Sequence, residues 1–288
     1  MTDALKLAFN LFKLRIGIVI AVTALAGAAI QPGPAVPRWQ LAVLALAVLV
    51  SSAAAGAFNQ YYEWEFDRHM ERTRRRPFVT GALRHHAGWV WLIVLMTALA
   101  VAAAWLAVNP MAALYTFLGA FVYAVVYTVW LKRRTWWNIV IGGLAGSFAV
   151  LAGAAAVTPA LSPEALLLAL ALFLWTPPHF WSLAIAFRSD YAAAGVPMLP
   201  VAKGDAFAAR AIFLNTVLLV TVSLAPVLFS SGWIYLAGAV AGGALFLTYS
   251  WRLARNPGRR TAMACFHSSL AQLTLLLAAA MIESVLRT

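Results

Sequence analysis

Nine long apolar runs, separated by short basic or Pro/Gly-containing breaks, leave this chain very few ways to fold. A bilayer takes about 20 consecutive apolar residues as a spanning helix. Such a segment must satisfy its own backbone hydrogen bonds, because lipid offers none. The runs predict helices over about 16–34, 39–58, 89–108, 111–131, 137–157, 164–187, 207–229, 233–251 and 261–283. Only 10% of the residues are charged and 64% are apolar, whereas a soluble domain carries about 25% charge. The expected fold is therefore an all-α polytopic membrane protein, with nine transmembrane helices in a bundle around a central cavity. The 288 residues form a single membrane domain in this reading.

The net charge of +12 does not call for a nucleic-acid partner. With the N-terminus placed in the cytoplasm, every Lys and Arg except Arg38 and Arg287 falls on the inner side of the nine-span arrangement. That is the positive-inside bias. It predicts an N-in, C-out topology, and the partner it implies is the lipid bilayer. The outer connections are short: Gln31 to Pro37, Asn109–Pro110, Thr158 to Pro163 and Ser230 to Gly232. The two long polar stretches, 59–88 and 188–206, share the inner side, so polar chemistry is concentrated on one face. The single Cys265 allows no internal disulfide.

In the first stretch, Asn59, Glu63 and Asp67 are spaced i, i+4, i+8, which on a helix places them on one face. Three oxygen-bearing side chains in a row suit a hard cation such as Mg²⁺. Arg68, Arg72 and Arg76 repeat the spacing. Carboxylates, metal and guanidinium groups together suit a diphosphate. An interfacial helix end laced with ion pairs is the plainer alternative. Carboxylates at a membrane boundary, amid an otherwise cationic surface, tilt the reading toward a site. Lys132, Arg133 and Arg134 face the same side, either as orientation signal or as further diphosphate contacts. Gly142, Gly143 and Gly146 suit close helix packing.

In the second stretch, Pro177 and Pro178 should kink the sixth helix at membrane depth. A helix broken there is tolerated where it lines a cavity. His179 and Asp190 are about three helical turns apart and can share a face. His179 serves there either as a porphyrin contact or as a packing histidine. Arg188, Lys203 and Asp205 add charge near the boundary.

Two passages resemble a known family. Asn59-x3-Glu63-x3-Asp67, followed by Arg72-Thr73 and Arg76-Pro77, resembles the first Asp-rich motif of the UbiA superfamily of intramembrane prenyltransferases. Thr176-Pro-Pro-His-Phe-Trp181, with Asp190-Tyr191-x3-Gly195-Val-Pro-Met-Leu-Pro200-Val, is similar to its haem-farnesylating branch, as is Asn138 to Gly146. The resemblance runs from about residue 10 to the end. There are departures: Glu63 and Glu65 stand where the family usually has Asp, and Leu14 where it commonly has Pro. Ser147-Phe148-Ala149 replaces a Pro-rich stretch, and Asp190 is nearly alone in the second motif, as in the haem branch.

The resemblance implies Mg²⁺ held by Asn59, Glu63, Asp67 and Asp190, which would also be the catalytic set. It implies farnesyl diphosphate on Arg68, Arg72, Arg76, Lys132, Arg133, Arg188 and Lys203, and haem b near His179 and Trp181. Loss of diphosphate would give an allylic cation, a haem vinyl group would attack it, and water would complete the product. The resemblance further implies a bacterial inner membrane, and hand-over to a haem A synthase or to terminal oxidase assembly. Prenylation of an aromatic or quinone precursor, or a non-enzymatic transporter or assembly protein, remain the alternatives.

Overall fold

The structure, a computed structural model, describes residues 3–229 and 231–287. Ser230, in the last expected outer turn, lies outside them. Every regular element among the described residues is helical. The long helices are α1 (Leu14–Ile30), α2 (Arg38–Tyr62), α3 (Gly88–Ala107) and α4 (Pro110–Phe121, continued by a π-helical segment, Val122–Leu131). They are followed by α5 (Asn138–Gly142 and Leu144–Val157), α6 (Pro163–Ala186), α7 (Asp205–Leu224), α8 (Trp233–Arg255) and α9 (Arg259–Arg287). Helices α2 to α9, with their continuations, are eight segments long and apolar enough to cross a membrane. Helix α1 completes a ninth together with Leu5–Leu11, from which it is bent by 56°. The reason is length: at 1.5 Å per residue its 17 residues rise about 26 Å, short of the roughly 30 Å hydrocarbon core.

Two of the helix starts follow from local chemistry. The Asn109 side chain accepts the Ala112 N–H at 2.8 Å, and Pro110 takes the first helical position. Ser162 caps Ala165 at 3.2 Å ahead of Pro163. A small oxygen acceptor followed by proline is a strong helix start.

Lipid gives no hydrophobic drive between helices, so small residues must let them approach. Helices α1 and α5 cross this way. A Cβ on Gly27 would run into the Val150 carbonyl, and one on Gly153 into the Ala24 carbonyl. Ala24, Ala26, Ala152 and Ala154 pack around the crossing without exposure. Outward-facing Trp91, Leu99, Leu106 and Leu214 are exposed and apolar, as a lipid-facing surface requires.

Two local expectations are corrected. Pro177 and Pro178 do not break α6, which runs unbroken from Pro163 to Ala186. Thr176 turns its hydroxyl back to the Leu172 carbonyl at 3.0 Å, and packed neighbours support the turn that has lost its donors. The break comes later, at Phe187 (φ −123°, ψ 36°), after which Arg188–Ala193 forms a separate helix. His179 and Asp190 therefore do not share a helix face. Nor do Arg68, Arg72 and Arg76 form a helical stripe. Helix α2 ends at Tyr62, one turn follows (Trp64–Asp67), and residues 68–76 run through irregular turns. Pro77 holds Arg76 extended at φ −68°, ψ 148°, as the residue before a proline prefers.

Candidate active site

Three segments bring charge together at one end of the bundle: the bend before α1, the end of α2 with its following turns, and the π-helical end of α4. Glu63 is 1% exposed. Its carboxylate contacts the Lys132 ammonium, and Arg133 Nη2 stands 3.6 Å away. Asn59 Nδ2 donates to Glu63 Oε2 at 3.3 Å and to Thr128 Oγ1 at 3.2 Å. Asn59 Oδ1 accepts from Lys13 Nζ at 2.7 Å, and the same ammonium reaches Tyr123 OH at 3.0 Å. Asp67, also buried, pairs with Arg76 Nη1 at 2.5 Å. Arg72 Nη2 donates to Tyr191 OH at 3.4 Å and so ties this segment to the second polar stretch.

Lys13 reaches the cluster because its backbone is left-handed (φ 48°, ψ 42°) at the bend before α1. That conformation is costly for a residue with a Cβ. Gln60 holds the bend in place, donating to the Asn10 and Leu11 carbonyls at 2.8 and 2.9 Å. Burial, and after it the Arg133 charge, pulls the Lys132 ammonium down from its ordinary value to about 7. The touching Glu63 carboxylate favours the charged form. Burial also lowers Arg133. Asn138, fully buried, donates to the Lys132 carbonyl at 2.9 Å and fixes the turn that carries both cations.

The remaining expected residues lie elsewhere. Arg68 is exposed and stacks on Trp64 at 4.4 Å. Arg188 pairs with Asp205 at 3.6 Å, and Lys203 is exposed. Asp190 is half-buried beside Tyr191. Among the described residues no three His, Cys, Asp or Glu side chains gather as a metal-ligand set. Trp181 is buried, and its Nε1 has no hydrogen-bond partner.

His179 sits inside the α6–α9 packing. Its Nδ1 is 2.7 Å from Ser269 Oγ, and its ring stacks between Trp175 (4.2 Å) and Phe266 (4.4 Å). This geometry supports a packing role. His179→Ala is expected to lower the unfolding temperature, at a cost of about 2–4 kcal/mol for the emptied aromatic slot. It should leave haem affinity unchanged in a spectral titration, and a lost haem signal in a folded variant would reverse that assignment.

A cavity of about 710 Å³ lies between α2, α3 and the π-helical end of α4, lined by Ala55, Phe58, Ile93, Val101, Phe121 and Val125 among others. It shares two elements with the charged cluster, but none of its lining side chains belongs to it.

Reading the sequence missed Lys13, Tyr123, Thr128 and Tyr191. Lys13 was legible only as an orientation charge. The other three carry no spacing signal, because a π-helix sets the register of the first two and the break at Phe187 that of the third.

The chain matches the UbiA prenyltransferase family over residues 20–276. It is 57% identical to protoheme IX farnesyltransferase 2 of Paramagnetospirillum magneticum, covering 99% of each chain. It is 42% identical to protoheme IX farnesyltransferase of Thioalkalivibrio sulfidiphilus, over 97% of this chain and 92% of that one. Among solved structures, a digeranylgeranylglyceryl phosphate synthase superposes with TM-score 0.80 at 18% identity, covering 99% of both chains. A UbiA homologue from Archaeoglobus fulgidus, bound to GPP and Mg²⁺, superposes with TM-score 0.70 at 16% identity, over 95% of this chain and 99% of that one.

Proposed function

The chain belongs to the UbiA prenyltransferase family, and from that premise we infer that it transfers the farnesyl group of farnesyl diphosphate to a vinyl group of haem b, giving haem O and diphosphate. Its relatives at high identity carry the name protoheme IX farnesyltransferase. The structural observation that supports the reading is an excess of positive charge. Arg76, Lys132 and Arg133 pair with two buried carboxylates, Glu63 and Asp67; Lys13 joins them through Asn59, and Arg72 stands at the rim on Tyr191. Crowded, partly buried cations without enough anions favour an anionic ligand, and a diphosphate supplies one with oxygens for charge-assisted hydrogen bonds.

In the reaction the bond from farnesyl C1 to oxygen breaks, and its electron pair leaves on the diphosphate. The five cations stabilise that developing charge, a preorganised effect that counts most away from water. The vinyl π electrons form the new carbon–carbon bond. Water then adds at the carbon next to the porphyrin and releases a proton. Until that step the buried setting keeps water from the allylic cation.

Glu63 and Asp67 fit a magnesium ion, while Asn59, whose Oδ1 accepts from Lys13, holds Glu63 in place from its Nδ2. Glu63 Oε1 is buried without a hydrogen-bond partner, and Mg²⁺ favours one or two carboxylates with substrate phosphate and water completing its shell. Bound there, the ion would act as a Lewis acid on the diphosphate. Asp190 precedes Tyr191, which Arg72 reaches at the edge of the site.

The basic residues support a reading in which this end of the bundle faces the cytoplasm, in a bacterial inner membrane. With Cys265 replaced by Ala, single cysteines at Arg75 and Lys203, both exposed, are expected to label only from the cytoplasmic side. Labelling from outside would overturn the orientation. The activity itself is tested by mass-resolved haem from cells lacking and then regaining the protein. A farnesylated, hydrated haem should return with it, and unchanged haem b alone would refute the assignment.

A further inference from the structure

Helix α4 changes register at Val122. From there to Leu131 it is a π-helix, in which each N–H reaches the carbonyl five residues back rather than four. Lys132 N donates to the Tyr127 carbonyl at 2.8 Å in this pattern, and the Thr128 hydroxyl donates to the Tyr123 carbonyl at 2.8 Å. Three side chains of this stretch meet the charged cluster. Tyr123 OH receives Lys13, Thr128 Oγ1 receives Asn59, and Lys132 meets Glu63. On an α-helix at 3.6 residues per turn, Tyr123 and Lys132 would point about 180° apart, and Tyr123 and Thr128 about 140° apart. Only a wider turn brings all three toward α2 and the bend before α1. The Tyr123 and Tyr127 rings stack at 5.7 Å along the same stretch, and Gly142 leaves room for the Tyr127 ring.

We propose that the π-helical register of Val122–Leu131 assembles the diphosphate end of the site, and that Thr128 is the positioning residue through which it acts. This rests on the prenyltransferase reading given above. The Thr128 hydroxyl spends its proton on Tyr123 and so offers only lone pairs to Asn59. That fixes which way the Asn59 amide faces. Its Nδ2 must point to Thr128 and Glu63, and its Oδ1 to Lys13. The reversed amide would set an oxygen against a carboxylate and an NH₂ against an ammonium. Thr128 is 2% exposed and does not belong to the cation set that receives the diphosphate. Losing it should therefore misalign the groups that act in the transition state and leave ground-state binding nearly intact.

The test compares wild type, Thr128→Val and Thr128→Ser in lipid nanodiscs, with farnesyl diphosphate and haem b as substrates. Val keeps the shape and removes the acceptor, whereas Ser keeps the acceptor. Thr128→Val is expected to lower kcat at least tenfold, with KM for farnesyl diphosphate within about twofold (a tenfold loss being 1.4 kcal/mol of barrier). Thr128→Ser should keep kcat within about threefold of wild type. A Thr128→Val variant with wild-type kcat would overturn the proposal, and so would a Thr128→Ser variant that falls as far as Thr128→Val. A wild-type protein that forms no haem O strikes the prenyltransferase reading itself, so the two failures are distinguishable.

Discussion

Glu63→Gln should cut haem O formation at least a hundredfold, about 2.7 kcal/mol of barrier, while the protein still elutes as a folded species. The carboxylate is buried and contacts Lys132, Arg133 and Asn59 together. Gln preserves the volume and an oxygen but removes the charge. Breaking a buried ion pair normally destabilises by about 3–5 kcal/mol, because the partner stays charged. Lys132 has a way out: burial already brings it down to about 7, so without Glu63 it gives up its proton at neutral to alkaline pH. The fold survives, but a neutral amine no longer stabilises the leaving group. Turnover within threefold of wild type would mean that Glu63 only closes a helix end.

The second large effect is expected at Lys13. Lys13→Met should raise KM for farnesyl diphosphate at least thirtyfold, about 2 kcal/mol, with KM for haem b nearly unchanged. The charges of Arg76, Lys132, Asp67 and Arg72 all act on this ammonium, and its two hydrogen-bond partners are neutral. A buried cation held only by an amide and a phenol is poorly compensated until an anion arrives. Met fills the same slot without charge, so its packing against Gly56 is kept. Equal rises in both KM values would point to a collapsed bend instead of a lost diphosphate contact.

Much of this was legible from the sequence. Helix positions followed from apolar runs, and Asn59 and Glu63 meet even though α2 ends before Glu63, whereas Asp67, in the turn that follows, pairs with Arg76. Lys132 and Arg133 were legible as neighbours of that set through the charge bias. What failed had local causes. The arginine stripe assumed a helix through a segment that Pro77 and clustered like charges prevent. The broken sixth helix assumed that two prolines outweigh the packing around them. Lys13 was hidden because only a left-handed residue turns it inward, and Tyr123 and Thr128 because 3.6-residue periodicity says nothing about a π-helix.

The shortness of α1 carries a consequence for the surrounding lipid. A helix of about 26 Å among longer neighbours makes the hydrophobic belt of the protein uneven, and lipids beside it must compress or Lys13 must sink. The buried ammonium is thus coupled to bilayer thickness. Reconstitution in lipids of increasing acyl length should lower turnover once the membrane outgrows α1, and a flat profile would mean that the bend alone absorbs the mismatch. Membrane thickness would then set how deep the diphosphate's cation lies, making lipid composition a determinant of activity.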